Sequence, residues 1–274
     1  MYRLEKVRRA LGLYRRHEQE HHPVHNEEMR QAIRSHLASG RGESHGRKYT
    51  YTMLRKQGIS VARDRLGHLL REEKILAGIP QNGFGERNIP QGEYWVLGPN
   101  YIWSVDGHMK LELFGIEIYA GVDAYSRYIT WIYIGISART AISVLRGYLD
   151  TVEQCGFLPL MIRSDRGSET PLMREYHLFL WKTLFPDVTL HQVYRYGTSV
   201  KNQRIESWWN MMTKGQTGKW KSYFRRLQGR GLFTKDNLAD EIALLFVFFP
   251  IIKDEILEFV EMWNVHEIWK QRAR

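Results

Sequence analysis

The sequence predicts an α/β protein: a mixed five-stranded sheet flanked by helices, with an all-α region before it and a helical extension after it. Three aromatic and β-branched runs, YIWSVDGHMKL, FGIEIYAGVDAY and SRYITWIYIGI, follow one another across short Gly or Ser breaks, the pattern of an antiparallel meander. LPLMIRS, apolar over its first five residues, reads as a central strand covered on both faces. Helical patterns separate this run from the meander and from VTLHQVY, the fifth predicted strand.

Taken in chain order, residues 1–28 mix bases with four histidines, His17, His21, His22 and His25. Without a cysteine pair to complete a zinc site, they read as a solvated connector or helix end. EMRQAIRSHLA, residues 28–38, has Met29, Ala32, Ile33 and Leu37 on one side of a helix. In KYTYTMLRKQGISVARDRLGHLLREE, two amphipathic pieces joined by Gly58 form a helix-turn-helix pattern, with Arg63, Asp64, Arg65 and His68 on the face that would enter a major groove. GIPQNGFGERNIPQGEYWVLGP marks a linker. After the meander, residues 138–155 and 173–184 are predicted helices, and SVKNQRIESWWNMM starts another at Thr198 or Ser199. In ADEIALLFVFFPIIKDEILEFVEMW, Pro250 stands between two helical halves, which read as packing or an oligomer interface rather than a membrane span. The predicted domains are a helical region at 1–77, a linker at 78–99, a core at 100–215 and a basic and helical extension at 216–274.

Charge is distributed unevenly. The net charge is +10, which favours a polyanionic partner. Residues 195–235 hold ten Lys or Arg and a single acid, Glu206, whereas 236–274 hold eight acids against four bases. The lone Cys155 excludes an internal disulfide framework and a cysteine-based zinc site. The first residues lack the apolar stretch of a secretory signal, and no apolar run is long enough for a membrane span, so the chain reads as soluble and intracellular.

Three acids occupy comparable positions. Asp106 lies near the end of the first strand, Asp165 directly after the fourth, and Glu206 in the first turns of the helix after the fifth. Parallel neighbouring strands would bring the first two to one sheet edge, with Glu206 swung over them. Three converging carboxylates need a divalent cation, and oxygen ligands suit Mg²⁺ or Mn²⁺. Two ions sharing a carboxylate serve in-line phosphodiester cleavage or strand transfer. Asp123 also ends a strand, but before a tight turn, and reads as turn chemistry. Around Glu206, cations alternate with Trp208, Trp209, Trp220, Tyr223 and Phe224. Such aromatics either stack on bases or belong to the core, and Trp209 shares a helical face with Ile205 and Met212, which favours burial.

VDGHMKL, GVDAYSRYI, IRSDRGSE and SVKNQRIESWW, in that order and with these gaps, resemble the catalytic core of retroviral integrases and related transposases of the ribonuclease H-like superfamily, over roughly residues 100–215. The resemblance implies a catalytic, metal-binding triad of Asp106, Asp165 and Glu206 and two Mg²⁺ or Mn²⁺ ions. Asp106 would bridge them while Asp165 and Glu206 hold one each. It also implies a DNA integrase or transposase that cleaves element ends and joins them to a target duplex, as a homo-oligomer in the nucleus. Arg63, Arg65, Arg166, Lys201, Asn202, Arg204 and Lys214 are the expected DNA contacts. The helix-turn-helix segment looks like the one preceding the core in several transposases. The chain departs from retroviral integrases in lacking their histidine-cysteine zinc module and an evident C-terminal β-barrel. It also carries Asn210 and Thr213, followed by Lys214, where they place lysines. Two other readings stand beside this one: a non-catalytic DNA-binding host protein descended from such an element, and a ribonuclease H-type nuclease acting on hybrids or junctions.

Overall fold

The computed structural model describes residues 2–11, 23–39, 46–59, 61–79, 96–136, 140–197 and 202–265. They fall into two compact units, Met1–Ile89 with Val265–Arg274, and Pro90–Asn264.

The first unit is helical: α1 (Tyr2–Ala10), α2 (Pro23–Ala38), α3 (Arg47–Lys56) and α4 (Arg63–Leu76). Its core is the apolar stripe expected from the sequence. Met29, Ile33 and Leu37 of α2 are buried, as are Met53 and Leu54 of α3 and Leu66, Leu69 and Leu70 of α4. α2 starts earlier than its periodicity suggested, at Pro23, a residue suited to a first helical turn. His17, His21 and His22 lie outside the described residues. Gly58 joins α3 to α4 at φ +79°, with Gly58 N–H donating to the Arg55 carbonyl and Ile59 N–H to Leu54, a left-handed helix stop that a side chain would strain. Glu73 of α4 is buried and accepts from Arg30 Nη1 at 2.7 Å and Arg34 Nε at 2.8 Å, both on α2. Burial pushes its carboxyl up, but hydrogen bonds and charge from the two guanidiniums hold it below the usual carboxylate range.

In the second unit, β1 (Ile102–His108), β2 (Glu117–Asp123), β3 (Ile129–Gly135), β4 (Met161–Ser164) and β5 (Tyr194–Tyr196) form one sheet in the order β3-β2-β1-β4-β5. The β1/β2 and β2/β3 pairs are antiparallel and the β1/β4 and β4/β5 pairs parallel, so the meander and the central fourth strand are as predicted. This is the mixed, ribonuclease H-like arrangement expected from the motifs. Its helices are α5 (Ala141–Cys155), α6 (Pro171–Leu184), the short α7 (Leu190–Val193) and α8 (Gln203–Met212). Trp103, Val105, Tyr119, Trp131 and Ile162 of the sheet pack with Val144 and Tyr148 of α5 and Met173 of α6.

Three predicted elements differ. VTLHQVY is mostly helix: Thr189 and Gln192 form a reciprocal capping box that holds Leu190–Val193 in a turn and leaves only Tyr194–Tyr196 extended. α8 begins at Gln203, because the Asn202 side chain reaches across to β1; Thr198 to Lys201 lie outside the described residues. The C-terminal segment is one helix, α10 (Leu238–Val265), not two halves. Pro250 sits on its exposed side while Leu244, Ile252 and Ile256 are buried on either side of it, so packing spans the missing hydrogen bond. Between α8 and α10 come a π-helical turn, Thr213–Thr217, and α9 (Gly218–Gly229). Among the described residues no helix is long and apolar enough to cross a membrane.

Candidate active site

β1 and β4 run parallel in the register Ile102↔Met161, Trp103↔Ile162, Ser104↔Arg163. Continuing that register sets Asp165, the first residue past β4, level with Asp106 on the neighbouring strand, where both side chains leave the same face. The third acid arrives by way of Asn202. Its buried amide donates from Nδ2 to the Val105 carbonyl at 3.2 Å, fastening the start of α8 to β1 one residue before Asp106. Glu206 follows in the first turn of α8. The three acids are all half-buried.

Asp106 responds to the charge of the other two. Burial, then the charge of Glu206, pushes the Asp106 carboxyl up to about 7, with a smaller push from Asp165; N–H donors from Gly107 and Trp209 pull the other way. No cation is among the groups that set this value. Trp209 Nε1 donates to Asp106 Oδ2 at 3.0 Å. The Trp209 ring is 4% exposed, as its helical position predicted, and it stacks on His108 at 4.8 Å between centroids and 20° between planes. His108 bonds Thr217 Oγ1 through Nε2 at 3.0 Å. Burial, with Lys110 and Lys221 nearby, lowers the imidazole to about 4, so it is neutral at physiological pH.

Two further groups lie near this cluster. Tyr119, on β2 beside Gly107, is fully buried, and its hydroxyl has no hydrogen-bond partner among the described residues. Burial holds the phenol well above its ordinary range, followed by the charge of Glu169 and, more weakly, of Tyr194, Asp106 and Asp165. Glu169 folds back over Gly167, where any β-carbon would collide with its carboxylate. Gly167 N–H in turn donates to Asp165 Oδ1 at 3.1 Å. Neither Glu169 nor Tyr119 is among the site residues expected from the sequence. The spacing of Glu206 and Trp209, three residues apart on a helix, was the available signal for a shared face; the β1/β2 register that places Tyr119 left none.

Carboxylate oxygens are the donors that Mg²⁺ and Mn²⁺ prefer, and an uncompensated field from three acids is what a divalent ion relieves. In chemistry the residues fit such an ion. In placement they stop short, because among the described residues no three His, Cys, Asp or Glu side chains are close enough to hold one metal ion.

The remaining predicted residues divide by exposure. Arg166, next to Asp165, and Lys214, in the π-helical turn, are exposed; Arg204 is half-buried in the first turn of α8. Lys201 lies outside the described residues. Asn202 is 2% exposed and presents no group to a substrate; its role here is to seat α8. In the first unit Arg63 is exposed, its guanidinium 5.1 Å above the Tyr51 ring, and Arg65 is half-buried. Asp123 is a turn residue, accepting from the backbone N–H of Asn100 at 3.0 Å and of Ser126 at 2.9 Å. Trp208, Trp209 and Phe224 are core rather than stacking platforms, packed against Phe259, His108 and Phe114.

A sequence profile of the integrase core domain matches residues 93–274, well over half of the chain. No curated protein matches at a significant level. Among solved structures, the HTLV-2 integrase catalytic core domain in complex with magnesium, in a dimeric form, is 20% identical and covers 43% of this chain and 75% of that chain, at a TM-score of 0.30. Its trimeric form is 19% identical and covers 43% and 87%, at 0.26. A simian T-cell lymphotropic virus intasome in complex with PP2A regulatory subunit B56 gamma is 16% identical and covers 79% of this chain and 68% of that chain, at 0.33. On the profile match, the chain belongs to the integrase core domain family.

Proposed function

We propose that this protein is a DNA integrase or transposase, a polynucleotidyl transferase that depends on divalent metal and uses Asp106, Asp165 and Glu206. One observation carries the reading. Acids separated by 59 (165 − 106) and 41 (206 − 165) residues come to one sheet edge, where Asp106 is raised by burial and by the charge of Glu206 and Asp165, with no described basic group among the causes. Burying mutually repelling carboxylates costs stability, and a protein that only bound DNA would have no use for them.

In this reading Asp106 would serve both sides of the site. Asp165 and Glu206 would each hold one of two Mg²⁺ or Mn²⁺ ions. Bound there, the ions would supply Lewis-acid activation of an attacking oxygen and stabilisation of the leaving one. Trp209 keeps Asp106 oriented. Arg166, Arg204 and Lys214, with Lys201, hold DNA phosphates; Arg63 and Arg65 present the helix-turn-helix to a groove. The substrates would be element ends and a target duplex, handled by a homo-oligomer in the nucleus.

Glu206→Gln should abolish Mg²⁺-dependent end cleavage and joining on DNA oligonucleotides while leaving DNA binding within about twofold of wild type. Retained joining would remove Glu206 from the site. A second reading, a DNA-binding protein without catalysis, draws on the exposed Arg63 at the start of α4. DNA binding indifferent to EDTA, with no cleavage of duplex ends, hybrids or junctions, would favour it.

A further inference from the structure

The contacts behind Asp106 form a continuous brace. The indole N–H of Trp209 donates to Asp106 Oδ2 at 3.0 Å, one face of that indole lies on His108, and Trp208 packs beside it at 4.5 Å. His108 Nε2 is tied to Thr217 Oγ1 at 3.0 Å, and Thr217 is fully buried at the end of the π-helical turn. π-helical turns are rare and recur at functional sites. Here the extra residue in the turn carries the chain from α8 so that the Thr217 hydroxyl meets a ring two residues along β1 from Asp106.

We infer that Trp209 is a positioning residue for the metal-binding carboxylate. It holds Oδ2 of Asp106 and so fixes how the carboxylate faces the site, and is itself locked by the His108 stack and the Thr217 bond. The inference rests on the reading of Asp106 as a metal ligand. It adds an indole donor that neither the triad motif nor the family match assigns. Carboxylates that bind metals are commonly oriented by a hydrogen bond to their second oxygen, and losing such a partner costs about 10-fold to 100-fold in affinity. An indole is an unusual choice for this task. It is a donor only, so it can never compete with Asp106 for the cation.

The test is Mn²⁺ titration by calorimetry on the full chain, without DNA, for wild type, Asp106→Asn and Trp209→Phe. Phenylalanine keeps a ring on His108 and deletes the N–H. Trp209→Phe should bind Mn²⁺ about 10-fold more weakly while its metal-free circular dichroism stays that of wild type. Equal affinity in a folded Trp209→Phe, beside a wild type whose binding Asp106→Asn abolishes, overturns the brace and leaves the metal site standing. A wild type with no Asp106-dependent Mn²⁺ binding overturns both. Should Trp209→Phe not fold, Thr217→Val, which frees His108 at the far end of the brace, is read in the same titration. Its affinity should fall about threefold, less than a direct partner's loss, and unchanged affinity there also overturns the proposal.

Discussion

Asp106 sits where solvent is scarce and two other acids are near, so in metal-free protein its proton is held far more tightly in the folded chain than in the unfolded one. Its folded pKa of about 7 lies above the unfolded value of 3.8. The stability it contributes is therefore fully present below the unfolded value and lost as pH rises through the folded one. In EDTA, wild type should lose on the order of 2 kcal/mol more stability than Asp106→Asn between pH 4 and pH 8, after allowance for solvent screening of a half-buried group. Urea unfolding at the two pH values measures it, and parallel losses in both proteins would mean that burial and the neighbouring acids do not raise Asp106. Asp123 shows why residue type alone is a poor guide. It is more buried than Asp106, yet its oxygens are spent on backbone N–H groups, Oδ1 on Asn100 before β1 and Oδ2 on Ser126 in its own turn.

At the scale of elements, the π-helical turn makes an unusual demand on Gly218. A β-carbon there would stand 2.5 Å from the Thr213 carbonyl oxygen, five residues back. In an ordinary helix interior, glycine to alanine gains about 1 kcal/mol. Gly218→Ala should instead destabilise by about 1–3 kcal/mol, the cost of overpacking, because the turn must open or shift. Thermal melting of the variant decides the sign, and a raised midpoint would show that the turn relaxes freely to α-helix. Proline in α10 illustrates the converse. Its backbone defect is tolerated because buried residues on both sides anchor the helix, which no local propensity contains.

At the scale of the whole molecule, the sheet and the C-terminal extension are packed against each other. Phe114 packs on Phe224 and Phe233, with ring centroids 5.0 and 5.9 Å away. Asn264 both accepts from Ile129 N–H at 2.8 Å and donates to its carbonyl at 3.0 Å, closing the start of β3. Trp220 Nε1 and Lys219 Nζ share Glu255 of α10, at 2.8 and 2.9 Å. A fragment ending at residue 215, where the motif pattern stops, should therefore lack a cooperative melt, since it exposes Phe114, Trp208 and Ile129 together. A sharp thermal transition in that fragment would show the extension to be an appendage.

The strand alternation, the buried fourth strand, the apolar stripes of α2 to α4 and the candidate acids were all legible in the sequence, because each is a local pattern of side-chain chemistry. Even the capping box that shortened β5 was written there, in Thr189 and Gln192. Only the tertiary structure decided that Asn202 is a buried tie instead of a surface contact, that Trp209 spends its N–H on Asp106, and that the Tyr119 hydroxyl is buried without a partner among the described residues. Those outcomes depend on strand register and on which helix face meets the sheet. Such long-range pairings are selected by the packing of the whole core, and no stretch of neighbouring residues encodes them.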